Sequence, residues 1–161
     1  VAADRERELL FELAADMLLL TTPEGVIRQV NRAGARLLGY NEAELLGRNA
    51  GEFVHADDLG ATLVHVARVC AGDAPAPMVN RYRTRSGQWR WLSWTGRYDP
   101  ERGLLCGMGR DVTAQREAEA ARAALAARQE ALIAAAGQVV VDLDARTGAL
   151  EWSGAVREVL G

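Results

Sequence analysis

The sequence predicts an α+β fold, in which one five-stranded antiparallel sheet carries helices on one face. Two observations predict this class. Segments of strand-like composition cluster at the two ends of a unit, two before and three after a block of helical segments. Short turn signals join neighbouring strands, as they do in hairpins. A short helix precedes this unit and a long helix follows it.

The chain begins with a predicted helix and hairpin. In residues 2–14 the charges come first and three leucines follow, which is typical of a short amphipathic helix. These leucines are Leu9, Leu10 and Leu13. Residues 17–22 and 26–30 are strand candidates. Between them Pro23 presets φ and Gly25 supplies a positive φ, which predicts a turn.

Three helices are predicted after the hairpin, each of which begins at a side chain that can cap it. The helices are 32–38 after Asn31, a second one that runs from Asn41 to Gly47, and 58–71 after Asp57. Three strands follow them. The predicted strands are 78–84, 89–98 and 103–112, with a turn signal at 85–87 (RSG) between the first two.

Residues 113–136 contain neither Gly nor Pro and consist mostly of strong helix formers. Positions at alternating spacings of three and four form a thin coiled-coil seam with one arginine in it. They are Ala118, Ala121, Leu125, Arg128, Leu132 and Ala135. The sequence therefore predicts a long exit helix of coiled-coil type.

The tail of the chain partly repeats its front. Residues 17–27 and 139–150 each contain an apolar strand, a polar turn with Gly and the start of a second strand, and a helix ending in Leu-Gly follows each. A lone hairpin and helix bury little area, so we expect this tail to pack on another chain or on the exit helix. The predicted segments are an N-terminal helix at 1–13, a domain at 14–113, a linker helix at 114–137 and a truncated start of a second such domain at 138–161.

Five segments carry a family signature when they are taken in order. They are 25–31 (GVIRQVN), 37–47 (LLGYNEAELLG), 54–58 (VHADD), 82–91 (YRTRSGQWRW) and 110–113 (RDVT). Together they resemble the PAS family, the sensor domains of bacterial two-component and cyclic-dinucleotide signalling proteins. The third segment departs from the family pattern, because Ala56 stands where Pro is usual.

The resemblance implies a cavity between sheet and helices that can hold a small ligand or cofactor. The side chains that we expect to line it are Leu19, Thr21, Phe53, Leu63, Tyr82, Leu92, Trp94, Leu105 and Gly107. On the last strand Gly109 also faces inward, and inward glycines leave space. For Tyr82 and Trp94, ordinary core packing is the alternative interpretation.

The resemblance also implies a signal path. The closing motif lies where the last strand becomes the exit helix, so Asp111 and Thr113 would tie the end of the sheet to the start of that helix. The alternative is that Thr113 only caps the helix.

Two cofactors can be considered from the same comparison. Flavin adduct chemistry in the light-sensing subgroup needs a cysteine and a glutamine where this chain has Ala50 and Gly109, which argues against a flavin photosensor. Haem needs an axial ligand, usually His. His65 lies on the long helix but does not clearly match the ligand position, and His55 lies at a helix start. We therefore expect neither cofactor and assign no other.

Both faces of the sheet are apolar, which indicates that both are covered. The helices cover the inner face, and the N-terminal helix, a partner subunit or both cover the outer one. We therefore predict a homodimer through the N-terminal and linker helices. On the outer face, Cys106 is expected to be an inert buried thiol.

Composition restricts the functional classes. The net charge of −3 is spread along the chain, which argues against nonspecific nucleic-acid binding. The longest apolar run, residues 17–20, is far shorter than the ~20 residues of a membrane span. Cys70 and Cys106 lack the spacing of a zinc site or a disulfide framework, and a reducing, cytoplasmic compartment is expected.

No nucleophile motif or phosphate-binding loop is apparent, so we do not expect an enzyme. The resemblance implies a sensory input domain of a multidomain signalling protein, such as a histidine kinase or a cyclic-dinucleotide enzyme. Such a domain senses a small ligand or an interaction and acts through the exit helix on an output domain. The alternative is a ligand-free PAS module for dimerisation or for spacing between domains.

Overall fold

The computed structural model describes residues 2–74, 76–136, 139–143 and 150–154. The chain forms two compact units, residues 1–114 and 115–161. The elements in chain order are α1 (Ala2–Leu13), β1 (Met17–Thr21), β2 (Ile27–Val30), α2 (Arg32–Leu38), α3 (Glu42–Leu45), a 3₁₀ turn (Ala50–Phe53), α4 (Ala56–Cys70), β3 (Met78–Arg83), β4 (Trp89–Asp99), β5 (Leu104–Asp111), α5 (Thr113–Ala135), β6 (Val139–Leu143) and β7 (Leu150–Gly154).

Five strands of the first unit form one antiparallel sheet in the order β2-β1-β5-β4-β3. The last of them along the chain, β5, lies at the centre, where Gly107 pairs with Leu19 of β1 and Gly109 pairs with Trp94 of β4. Helices α2 and α4 pack against this sheet. The predicted α+β fold with a five-stranded antiparallel sheet is confirmed.

Asn31 joins the three elements that surround it. Its Oδ1 accepts hydrogen bonds from the backbone N–H of Leu18 at 2.9 Å and of Gly34 at 3.0 Å, and the latter caps α2. Its Nδ2 donates to the carbonyl oxygens of Phe11 at 3.1 Å and Asp16 at 3.0 Å. Because Asn31 is fully buried, these bonds satisfy backbone groups that water does not reach.

The predicted start of the long helix needs a correction. We expected Asp57 to cap a helix beginning at residue 58, but α4 begins at Ala56 and His55 is its N-cap. The His55 Nδ1 accepts a hydrogen bond from the Asp57 N–H at 3.2 Å. Asp58, the next residue, bonds to β3 instead of capping the helix. Its carboxylate accepts three hydrogen bonds from Arg81 at 2.8 to 2.9 Å.

The glycines on the inner face of β5 do not simply leave space. A Cβ on Gly109 would lie 2.9 Å from the Trp94 indole, and one on Gly107 would lie 3.3 Å from it. The indole therefore lies directly over both glycines, and side chains there would displace it. The expectation of inward-facing glycines is right, but Trp94 fills part of the room that they provide.

The outer face of the sheet is less covered than we predicted. Cys106 is exposed, contrary to the prediction of a buried thiol, and Met108 is exposed beside it. The three leucines of α1 are each more than half exposed, so α1 does not bury them on this sheet. Instead α1 contacts α2. The reason is that the Asn31 hydrogen bonds hold the end of α1 at the α2 side.

The second unit contains most of α5 and a two-stranded sheet. The α5 residues from 115 to 135 are all exposed, so the other described residues do not cover the predicted seam. Strands β6 and β7 pair antiparallel, with Val139 opposite Gly154 and Leu143 opposite Leu150. The repeat predicted two strands in this segment, and the turn between them lies outside the described residues. The helix predicted to follow these strands also lies outside the described residues, and a complete second domain is not shown.

Candidate functional site

A cavity of about 320 Å³ lies between the inner face of the sheet and α4. Strands β1, β3, β4 and β5 form one wall and α4 the other, while the β1–β2 turn and the 3₁₀ turn close one end. Volumes of this size are typical of small-molecule sites. Most of the lining side chains are apolar, with a few polar groups among them.

Seven of the nine predicted lining residues surround this cavity. They are Leu19, Thr21, Leu63, Tyr82, Trp94, Leu105 and Gly107. Phe53 and Leu92 do not line it. Phe53 is buried against Tyr40, with ring centroids 5.6 Å apart, and lies under the Arg48 guanidinium. Leu92 faces inward but is completely covered by the hydrophobic core.

The polar lining groups form a chain of hydrogen bonds across the cavity wall. The Trp94 Nε1–H donates to Asn80 Oδ1 at 2.9 Å, and Asn80 Nδ2 donates to Thr62 Oγ1 at 3.0 Å. The Thr62 hydroxyl in turn donates to the Asp58 carbonyl oxygen at 2.7 Å. This chain fixes the orientation of the Asn80 amide and connects β4, β3 and α4.

Two hydroxyl groups on the cavity wall make no hydrogen bond among the described residues, and because every fully buried side-chain polar atom there has a partner, both retain surface open to the cavity. They belong to Tyr82 and Thr21, whose exposed fractions are 5% each. Burial raises the pKa of the Tyr82 phenol far above its ordinary value, so the group is a neutral O–H. In folded proteins buried polar groups are normally satisfied, and unsatisfied groups that face a cavity are available to a ligand.

His65 and Asn80 also line the cavity, although neither was among the residues that the sequence predicted there. Burial, with a smaller contribution from Arg68, lowers the pKa of the His65 imidazole, so its neutral form is favoured. Two periodicities could have found these residues. His65 follows Thr62 by three positions on α4, and Asn80 lies two positions before Tyr82 on β3, which places each pair on a common face.

The end of β5 is tied to the start of α5 through Thr113. Asp111 Oδ1 accepts hydrogen bonds from the Thr113 N–H at 2.9 Å and from its hydroxyl. The Thr113 Oγ1 accepts from the Trp91 N–H of β4 at 2.9 Å. The Thr113 hydroxyl therefore bonds to the sheet, whereas the Asp111 carboxylate bonds to the first N–H of the helix.

Comparison with known proteins decides the family. Residues 27–108, just over half of the chain, match the family model for the PAS fold. The chain belongs to the PAS family. This match confirms the family resemblance seen in the five sequence segments, and the cavity lies largely within the matched residues of the PAS domain.

Solved structures show the same fold. A domain of a sensory box sensor histidine kinase/response regulator from Geobacter sulfurreducens is 26% identical, with a TM-score of 0.60 over 68% of this chain and 94% of that one. The PAS domain of an HTR-like protein from Haloarcula marismortui is 24% identical, with a TM-score of 0.61 over 68% and 92%. The PAS domain of the Cronobacter turicensis quorum-sensing receptor RpfR, in complex with BDSF, is 22% identical, with a TM-score of 0.55 over 62% and 96%.

None of the curated proteins compared with this chain matches it. Within the described ranges no helix has both the length and the apolar character needed to cross a membrane. In the same ranges, no three His, Cys, Asp or Glu side chains group closely enough to hold a metal ion.

Proposed function

We propose that this PAS domain is a sensory input module that binds a small, largely apolar molecule between its sheet and α4. The observation that carries the proposal is the apolar cavity of about 320 Å³ with two unpaired hydroxyl groups on its wall. The RpfR neighbour, of the same fold, has a structure in complex with BDSF, which supports a binding role for such a domain. The role is recognition, with output in a separate domain such as a histidine kinase or a cyclic-dinucleotide enzyme.

The proposed signal path is short. Strand β5 contributes Leu105 and Gly107 to the cavity and ends at Asp111, beside the first residue of α5. A ligand that shifts β5 relative to β4 would change the hydrogen bonds that Thr113 makes to Asp111 and Trp91. We infer that occupancy of the cavity is passed to α5 through this junction.

Native mass spectrometry of the purified protein tests the binding role. We expect a fraction of the protein to carry a small bound molecule, or to acquire one from a lipid extract, because an apolar cavity of this size favours an occupant. A visible absorption spectrum of the same sample is expected to show no flavin or haem band. Protein that stays ligand-free under both conditions, with the cavity collapsed in a crystal structure, would favour a ligand-free spacer instead.

Replacing Asp111 with alanine tests the signal path. The change removes both hydrogen bonds to Thr113, and in the full-length protein we expect the ligand-dependent change in output to fall several-fold. The domain itself should lose only about 1 kcal/mol of stability. Asp111→Asn keeps an acceptor oxygen and should restore most of the response.

The matched control is Asp99→Ala at the other end of the β4–β5 pair. Asp99 pairs with Arg102 on the surface, so its loss should leave the response unchanged. A folded Asp111→Ala protein with a normal response would exclude this junction as the path.

A second candidate role is dimerisation or spacing between domains, and exposed apolar side chains favour it. On α1 they are Leu9, Leu10 and Leu13, and on α5 they are Leu125, Leu132 and Ile133. We propose that a second copy covers these helices in a homodimer. The native mass spectrum also reports the assembly mass, and a monomer at micromolar concentration would contradict the dimer while leaving ligand binding untouched.

A further inference from the structure

Three side chains on the sheet side of the cavity have a hydrogen-bond donor left over. The Asn80 Oδ1 is occupied by the Trp94 N–H, while its Nδ2 uses one of two hydrogens on Thr62. The hydroxyl groups of Tyr82 and Thr21 have no partner among the described residues. All three of these groups can donate to a ligand, and only the two hydroxyls can also accept. A ligand that supplies an acceptor, such as a carbonyl oxygen, can therefore accept a hydrogen bond from any of these three groups.

The charge around the cavity argues against an anion. Among the described residues that line it there is no arginine, and Glu24 is the one charged side chain. A hydrogen bond with Thr22 lowers the pKa of the Glu24 carboxyl, so it is ionised at neutral pH. His65 has its pKa lowered by burial and is neutral there. A carboxylate placed in this cavity would therefore lose its hydration without gaining a cation.

We propose that the cavity selects neutral, largely apolar molecules with a hydrogen-bond acceptor, over the matching carboxylates and over pure hydrocarbons. This selectivity rests on the proposed function, because it requires that the cavity admit a ligand. The Tyr82 hydroxyl is the main polar anchor, since its ring is held against Trp94 with centroids 5.3 Å apart. The cavity has room for about ten water-sized groups. A ligand of roughly ten non-hydrogen atoms therefore fits.

The test uses three probes of one chain length, namely methyl octanoate, octanoate and octane, at neutral pH. Binding is followed by tryptophan fluorescence, because the Trp94 indole lines the cavity. We expect the ester to bind about fivefold more tightly than octane, because only the ester can accept a hydrogen bond, and one neutral hydrogen bond contributes about this much to affinity. Octanoate should bind at least tenfold more weakly than the ester, because its charge is desolvated without a partner.

Tyr82→Phe removes the anchor and keeps the ring. The ester should then bind within about twofold of octane, whose own affinity should not change. Tyr40→Phe is the matched control, because Tyr40 packs on Phe53 outside the cavity, and all three affinities should stay as in the wild type. If Tyr82→Phe does not fold, the order of the three probes on the wild-type protein still decides the selectivity.

The outcomes separate the two proposals. Octanoate binding as tightly as the ester would overturn the preference for neutral ligands, and ester binding unchanged by Tyr82→Phe would overturn the anchor. Octane binding as tightly as the ester would remove the need for an acceptor. In each of these cases the binding function stands. If none of the probes binds, the cavity admits no such ligand, and the proposed function falls with the selectivity.

Discussion

Replacing Asn31 with alanine is expected to lower the free energy of unfolding of the first unit by about 3 kcal/mol or more. Asn31 is fully buried and makes hydrogen bonds to four backbone groups from three different elements. Alanine provides no replacement partner, and each buried group left unsatisfied costs about 1–3 kcal/mol. Partial relaxation lets some of these four groups reach water, so the expected loss is smaller than the sum of their separate penalties. Urea unfolding followed by circular dichroism measures this loss.

Asn41→Ala is the control for this substitution. Asn41 also precedes a helix, α3, but it is exposed, and loss of a surface cap costs about 1 kcal/mol or less. A similar loss for both variants would mean that the Asn31 contacts contribute no more than a cap. We also expect the end of α1 to exchange amide hydrogens faster in Asn31→Ala, because the hydrogen bond to the Phe11 carbonyl holds it.

Asp58→Asn is expected to cost about 2 kcal/mol, the second largest effect. The Asp58 carboxylate accepts three hydrogen bonds from Arg81, which join the first turn of α4 to β3 beside the cavity. An amide keeps the shape of the carboxylate but loses its charge and one acceptor.

Asp57, the residue before Asp58, supplies the control. The Asp57 side chain is 75% exposed, whereas that of Asp58 is 19% exposed, and the Asp57 carboxylate lies 3.6 Å from the Arg81 guanidinium. Asp57→Asn should therefore lower the free energy of unfolding by less than about 0.5 kcal/mol.

The same pair predicts a dependence on pH. Hydrogen bonds from Arg81 hold the pKa of Asp58 below its ordinary value in the folded protein. The folded state therefore binds fewer protons than the unfolded state near the ordinary pKa of about 3.9. This stabilisation is present above that pKa and is lost as the pH falls through the lower, folded pKa. The gap in stability between wild type and Asp58→Asn should shrink in acid, and a gap that is constant with pH would contradict the assignment.

Local signals in the sequence were enough to predict most elements. Helix α2 begins after Asn31 and ends at Gly39, as predicted. A side-chain cap and a left-handed glycine each act within one turn of the helix. Gly25 and Gly87 have the positive φ that their turns require. These features depend on neighbours in sequence, so pattern and composition predict them.

The sequence predicted less well which residues share a site. Phe53 and Leu92 are apolar and buried as expected, yet neither lines the cavity, whereas His65 does. A strand pattern shows that Leu92 and Trp94 share a face, but it does not show which of them the core covers. That depends on where α4 crosses the sheet, which is a long-range contact: Asp58 in the first turn of α4 bonds to Arg81 of β3.

The order of residues determined the set of elements and the antiparallel sheet, since these follow from caps, turns and short-range periodicity. The family followed from the resemblance of five sequence segments to the PAS family. What the tertiary structure decided is the cavity and its chemistry. The Trp94–Asn80 hydrogen bond joins β3 and β4, which are neighbours in sequence, but the cavity that these side chains face also needs β1, β5 and α4. The pairing of β1 with β5 joins the first hairpin of the domain to its last three strands, and no local pattern specifies which of their side chains then face the cavity.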